Sequence, residues 1–348
     1  MSPAARREPP RTARRPAGVF RVPPLRGEPE PRGAPTFSIV IAAHNAAETI
    51  GEAVDSALDQ TLTPLEVIVC DDGSTDGTAA VLDPYGDRVI YSKKRQGGVA
   101  SAWNAALERA QGEFFAVLGA DDAFASTRLE RLAELSRARS DLDILCTDAF
   151  LEVGGRPLAR FSADTPFAVA DQRAEILDRC FCVAPAVRRA KLIDVGGFDE
   201  SLYAGSDWEC AIRLIHRGAV AGLVDEPLYR YRFHEGSITA DRLRTLSDRV
   251  ALLERVGETY DLSNAERAAL DRSLARQRAA LALTEAEAAL RARSPDARRR
   301  AFAAAGTQAV GLRSRAAAVA AAIAPKAAAR ALERREVRSG RSRLKRSL

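Results

Sequence analysis

Between Phe37 and Thr147, apolar runs too short to be helices alternate with helix-forming stretches, and one run ends in Asp-Asp while another leads into a second Asp-Asp. Phe37-Ser-Ile-Val-Ile-Ala-Ala43 reads as a buried strand, as do Glu66 to Cys70, Phe114 to Leu118 and Leu142 to Thr147, with a shorter one at Arg88 to Ser92. Between them, Ile50, Val54 and Leu58 repeat at helical spacing. Val99 to Ala110 reads as a helix, and Leu129, Leu132 and Leu135 mark another, capped by Ser126. Asn45 is expected to cap the first helix, with Glu48 completing a capping box. Strand–helix alternation of this kind gives a mostly parallel sheet with helices on both faces. Ligands of such sheets sit beyond the carboxyl ends of the strands. Asp71-Asp72 and Asp121-Asp122 both fall at such ends, so they point to one site.

The remainder is less regular. Gly196-Gly197-Phe198-Asp199 is a turn, Asp207 to His216 a short helix, and Val220 to Leu223 and Leu228 to Phe233 two strands flanking Pro227. From Asp241 the composition shifts to Ala, Leu, Arg and Glu. Ser263 with Glu266 caps a long helix to about Arg291, and Ser294-Pro295-Asp296 opens another. The expected organisation is a Pro/Arg-rich disordered segment over 1–35, a catalytic domain over 36–240, accessory helices over 241–310 and a basic Ala/Arg-rich tail over 311–348.

Charge divides the same way. Residues 36–290 carry a net −13, whereas 291–348 hold sixteen Lys or Arg against three acids. An acidic body with basic ends is unlike a nucleic-acid-reading domain, so no nucleic acid partner is expected. The odd set of five cysteines fits no zinc spacing and reads as reduced, buried thiols. Three histidines exclude a histidine-rich metal site. No signal-peptide pattern and no apolar run near the ~20 residues needed to span a bilayer is visible. The expectation is therefore a cytoplasmic protein, with the basic tail a candidate for attachment to an anionic membrane at the inner face of the cell membrane.

Paired carboxylates at a strand end are costly unless a cation or a donor satisfies them. There is no Gly-x-Gly-x-x-Gly after the first strand and no Walker loop. A diphosphate would therefore be neutralised by a divalent ion on carboxylates, and Mg2+ or Mn2+ suits oxygen ligands.

From Ser38 to about Thr239 the chain resembles the family-2 glycosyltransferases. The resemblance rests on Ser38-Ile-Val-Ile-Ala-Ala-His-Asn45, Glu66-Val-Ile-Val-Cys-Asp-Asp-Gly-Ser-Thr-Asp76, Gly98-Val-Ala-Ser-Ala-Trp-Asn104, Gly112-Glu-Phe-Phe-Ala-Val-Leu-Gly-Ala-Asp-Asp122, Val195-Gly-Gly-Phe-Asp199, Asp207-Trp-Glu and Tyr231-Arg-Phe-His-Glu-Gly-Ser237. It implies an α/β GT-A (nucleotide-diphospho-sugar transferase) fold with a Rossmann-like, mostly parallel sheet and a C-terminal helical extension. By position it implies that Asp72 meets the nucleobase, that Ala42 and His44 line the base pocket, that Asp121 lies near the ribose and that Asp122 ligates the metal. Asp207 would be the general base toward the acceptor hydroxyl, and His234 would face the metal or diphosphate. Asn104 is either a donor-site residue or a loop pin. Trp208 reads as core, Asp199 as a turn residue and Glu209 as the rival base. Gly119, Ser206 and Trp103 depart from the family pattern, which often has Asp, an acid and Arg there.

The implied function is inverting transfer of a sugar from a nucleotide-diphosphate donor, UDP or dTDP favoured, to a hydroxyl of a glycan or lipid-linked glycan in cell-surface polysaccharide or glycolipid synthesis. The alternatives are a catalytically degenerate scaffold whose basic tails bind membrane or RNA, and a nucleotidyltransferase. The latter would want a glycine-rich phosphate loop near the N-terminus.

Overall fold

The computed structural model describes residues 19–20, 33–234, 236–307, 312–329 and 332. Most of the segment over 1–35, with its expected disorder, and half of the basic tail over 311–348 therefore lie outside the described residues.

Ten strands form one sheet. In chain order they are β1 (Val19–Phe20), β2 (Phe37–Ala43), β3 (Glu66–Asp71), β4 (Ile90–Lys93), β5 (Phe114–Gly119), β6 (Ala123–Phe124), β7 (Ile144–Val153), β8 (Arg156–Arg160), β9 (Ala186–Arg188) and β10 (Ala221–Phe233). Their order is β1-β10-β7-β9-β5-β2-β3-β4, with β6 paired to β10 and β8 to β7. The β5-β2-β3-β4 half is parallel throughout. Alternate residues of β2 enter different cores, Val40 on one face and Phe37, Ile39 and Ile41 on the other. Both faces are buried, which is why the run is apolar without a break.

Helices cover the faces. They are α1 (Ile50–Leu58), α2 (Thr78–Leu82), α3 (Val99–Leu107), α4 (Arg128–Ala138), α5 (Phe161–Asp164), α6 (Gln172–Asp178), α7 (Arg189–Val195) and α8 (Ser206–His216). Leu129, Leu132 and Leu135 of α4 are fully buried, as their spacing implied, and each contributes about 1.5–3 kcal/mol of burial. The C-terminal extension is α9 (Arg242–Thr259), α10 (Asn264–Arg291), α11 (Ala297–Gly306) and α12 (Leu312–Ile323). The Ser263/Glu266 capping box is present. Glu266 also pairs with Arg173 of α6, tying α10 to the catalytic body. Burial works against its charge, but the hydrogen bonds from Arg173 and Ser263 prevail and hold Glu266 down to about 2.

Three sequence expectations need correction. Asn45 does not cap α1, which follows Thr49 without a side-chain cap. Its φ of 50° turns it instead toward the next loop, where its Oδ1 accepts from the Thr75 amide at 2.8 Å. Thr127, not Ser126, precedes α4. The two strands around Pro227 are one strand, β10, whose register with β7 shifts around the proline because Pro donates no ladder hydrogen bond. The three-residue β9, which has no counterpart in the sequence reading, enters antiparallel between β5 and β7, and the sheet is mostly parallel, as expected.

Candidate active site

The carboxyl ends of β3 and β5 flank that of β2, so both acidic loops meet beside His44. Asp71 is fully buried. Its Oδ1 accepts from the Ser74 amide at 2.7 Å and its Oδ2 from the Tyr91 hydroxyl at 2.8 Å. Burial alone would raise its pKa, but these donors and Lys93 outweigh it and hold the carboxyl below its usual range. Asp72 is gripped as well: Lys94 Nζ at 3.0 Å and the Gly97 amide at 2.9 Å share Oδ1, and the Gly98 amide lies 2.7 Å from Oδ2. Asp72 thus anchors the entry to α3. His44 lies exposed beside it, with Nδ1 donating to the Asp72 carbonyl at 3.0 Å and Nε2 accepting from Gln96 at 3.1 Å. Ala42, half-buried, precedes it on β2.

The second pair is held differently. Asp122 is only 3% exposed. It accepts from the Tyr229 hydroxyl through Oδ2 and from the Arg232 amide, at 2.8 Å, through Oδ1. Burial first, then the charge of Asp121, push its pKa up to about 7 against those hydrogen bonds. Gly119 makes this fold-back possible, since a Cβ there would lie 2.4 Å from Asp122 Oδ2. The departure from the family pattern at that position is therefore coupled to where Asp122 points. His234 Nε2 lies 2.7 Å from Asp121 Oδ2 rather than on Asp122, while its Nδ1 accepts from the Gly236 amide. The expected metal pair Asp122 and His234 is thus not gathered as one ligand group: each holds a different partner, and no cluster of three His, Cys, Asp or Glu is assembled for a metal among the described residues.

Asp207 lies on the first turn of α8. Its side chain is exposed and makes no hydrogen bond or ion pair among the described residues. Glu209 is the opposite: it is buried and locked bidentately to Arg213, at 2.7 and 2.6 Å, which also donates to the Val195 and Gly197 carbonyls. Trp208 is core, with Nε1 donating to the Ile176 carbonyl at 2.6 Å. Ser206 is 1% exposed with an unpartnered hydroxyl, so an acid at that position would be buried. Burial, then the charges of Asp122, Asp207 and Asp121, push the Tyr231 hydroxyl up to about 12.

Asn104 is a loop pin. Its Oδ1 accepts from the Phe198 amide at 2.8 Å, and its amide donates to the Phe198 carbonyl and to Glu200. Gly197 is needed beneath it, since φ is +73° and a Cβ would lie 2.5 Å from Asn104 Oδ1. Both polar atoms of the Asn104 side chain are engaged there. Trp103 stacks on Phe198 with centroids 4.9 Å apart. Asp199 shapes its turn through Ser201 and also meets Arg255. The cysteines are free thiols. Burial pushes Cys210 up to about 12 and raises Cys180 further, so both stay protonated and unreactive.

Sequence reasoning missed Tyr229 and Arg128. Arg128 is fully buried, lies over the rings of Phe124 and Tyr229 at 4.5 and 5.3 Å, and donates to Thr147 and to the Ala184 carbonyl. Burial pushes its pKa down to about 10. The sole sequence signal was an arginine where the inner face of α4 calls for an apolar residue.

Residues 38–193 match the family described as glycosyl transferase family 2. That segment carries the chain's likeness to the family. A relative from Bacillus subtilis, the putative teichuronic acid biosynthesis glycosyltransferase TuaG, is 29% identical over 214 residues, which are 60% of this chain and 83% of that protein. S. aureus TarS 1-349 in complex with UDP-GlcNAc superimposes with a TM-score of 0.59 at 21% identity, covering 88% of this chain and 92% of that one. The mannosyltransferase PcManGT from Pyrobaculum calidifontis, in complex with GDP-Man and Mn2+, gives 0.58 at 21% identity, covering 89% and 86%. At that identity the two structures establish the shared GT-A fold.

Proposed function

We propose that this glycosyltransferase moves a sugar from a nucleotide-diphosphate donor, a UDP- or dTDP-sugar being favoured, to a hydroxyl of a glycan or lipid-linked glycan, in a single displacement that inverts the anomeric carbon. The likeness to TuaG, a putative teichuronic acid biosynthesis glycosyltransferase, supports a cell-surface polysaccharide as the product. The observation that carries the reading is the contrast on α8. Asp207 is exposed and uncommitted, whereas Glu209, on the same turn, is neutralised by Arg213. A carboxylate free of protein partners can take the proton of an acceptor hydroxyl, and a carboxylate in a bidentate guanidinium pair cannot do so without breaking it.

The donor set suits a hard divalent cation. Asp121 and Asp122 are adjacent carboxylates, and a cation would offset the burial and the repulsion by Asp121 that together raise Asp122. Asp122, with His234 and Asp121 adjoining, would hold Mg2+ or Mn2+, which supplies charge stabilisation to the departing diphosphate. PcManGT binds its donor with Mn2+. His44 and Ala42 flank the place for the base, and Asp72 holds that wall in shape through α3.

Thermal unfolding with UDP, dTDP and GDP sugars, each with and without Mn2+, tests the reading. A ligand that binds only the folded state raises the melting temperature, by about 2.7 kcal/mol of stability at a hundredfold excess over Kd. The expected outcome is a rise that requires nucleotide and metal together. A response to none of the nucleotide sugars in either condition would leave the scaffold reading.

A further inference from the structure

The loop Asp199–Gly205 delivers Asp207, and α9 grips that loop along its length. Arg255 reaches Asp199 at 2.6 Å. Asp248 Oδ2 accepts from the Tyr203 and Ala204 amides at 2.9 and 3.1 Å. The Arg244 guanidinium lies 3.8 Å above the Tyr203 ring. Arg249 passes Gly205, with its Cγ 3.9 Å from where a Cβ would stand.

Arg255 is neutralised by Asp199; Arg244 and Arg249 meet no carboxylate among the described residues. Arg249 Nε is buried without a hydrogen-bond partner. Elsewhere in the acidic body Arg131, Arg160, Arg173, Arg213 and Arg232 each meet an acid. Arg249 lies against the start of the helix that carries the base, since Gly205, beside its Cγ, directly precedes α8.

We propose that Arg244 and Arg249 form an oxyanion subsite for the acceptor, taking a carboxylate or phosphate of the molecule whose hydroxyl Asp207 deprotonates. A guanidinium with a free edge accepts such a group bidentately. The side follows from stereochemistry. In an inverting displacement the base and the departing diphosphate lie on opposite faces of the sugar, so a cation beside the base meets the acceptor. The inference rests on Asp207 being that base. It makes α9, outside the matched family segment, the element that selects an acidic acceptor.

Three disaccharides that differ only at one carbon test it: cellobiose, its terminal uronate and its terminal 6-phosphate. Binding of each, and of UDP, is measured by NMR titration at low salt for the wild type and for Arg244→Met/Arg249→Met. Arg244→Met alone, at an exposed side chain, serves if the double variant fails to fold. The wild type is expected to prefer a charged disaccharide over cellobiose by about tenfold or more, and the variant to lose that preference with UDP affinity unchanged. No preference in the wild type, or one that survives in the variant, overturns the subsite. An equal loss of UDP affinity also overturns it, assigning both guanidinia to the donor diphosphate. Donor hydrolysis by the wild type is the separate readout: its absence removes the transferase reading, whereas a hydrolysing protein without charge preference removes only the subsite.

Discussion

The loop after β3 and the loop after β5 each present two aspartates, and the protein treats them in opposite ways. Around Asp71 and Asp72, the amides of Ser74, Gly97 and Gly98, the Tyr91 hydroxyl and Lys94 point at the carboxylates. Asp71 is accordingly held below the usual carboxylate range. Around Asp122 there are one hydroxyl and one amide, a second aspartate beside it, and a pKa of about 7. Identical dipeptides at equivalent strand ends thus divide the work. The first is satisfied by its own chain and shapes the wall. The second is left short of positive charge, which is the condition a cation site requires.

Exchanging the charges one at a time breaks the comparison most sharply. Asp122→Asn is expected to abolish donor turnover and the metal-dependent part of nucleotide binding while the melting temperature holds or rises, since the substitution removes a desolvated charge. Asp71→Asn is expected to do the reverse: its buried donors lose a charged acceptor, at a cost on the order of 1–3 kcal/mol, yet the Mn2+ response survives. Donor hydrolysis with and without chelator, alongside thermal unfolding, reads both. Full activity of Asp122→Asn, or full wild-type activity in excess chelator, would remove the metal-dependent mechanism.

The same contrast recurs within one turn of α8. Asp207→Asn is expected to bind donor and metal normally and to lose transfer by about 10²–10⁴-fold, the usual contribution of a general base. Glu209→Gln is expected to lose stability, because Arg213 would be left half-paired beneath the Gly196–Gly197 turn, and to keep transfer chemistry. Single-turnover transfer measured beside donor affinity separates the two effects. A dead Glu209→Gln with an active Asp207→Asn would put the base two positions further along the same helix.

These contrasts were legible in the sequence to different depths. β2, β3 and β5 could be read because both of their faces are buried, which writes an unbroken apolar run. The acid pairs could be located for the same reason, since each follows the point where such a run ends. Their opposite treatment could not be read, because it depends on Tyr229, more than a hundred residues away from Asp122 in sequence, and on amides that carry no side-chain signature. β9 escaped because three residues cannot show a period. Asn45 was misassigned because an Asn ahead of a helix fits a cap equally well, and only its positive φ commits it to the neighbouring loop. Asp207 and Glu209 share a helical turn, and it took Arg213, one turn on, to tell them apart.

A last and smaller contrast runs between the acidic body and the basic C-terminal end. Residues 36–290 carry a net −13, while residues 333–348 alone hold seven Lys or Arg against two acids. Anionic lipid attracts a segment like the latter at roughly 1 kcal/mol per basic residue near the surface and repels the body. The helices before it offer apolar contact as well: Phe302 on α11 is 53% exposed, on the same stripe as Arg298 and Arg299, and Ile323 on α12 is 66% exposed. Among the described residues no helix is long and apolar enough to cross a membrane, so any attachment through α11 and α12 would be by contact with the surface. We propose that this end tethers the enzyme near lipid-linked acceptors. Truncation after Leu332 keeps α11 and α12 and their alanine-rich packing, and it is expected to weaken co-sedimentation with anionic vesicles by about an order of magnitude or more at low salt, with little change on neutral vesicles or in donor hydrolysis. The difference should shrink toward physiological salt, where the Debye length falls to about 8 Å. Equal and negligible sedimentation of both proteins at low salt would remove the tether and leave the basic end without a membrane role.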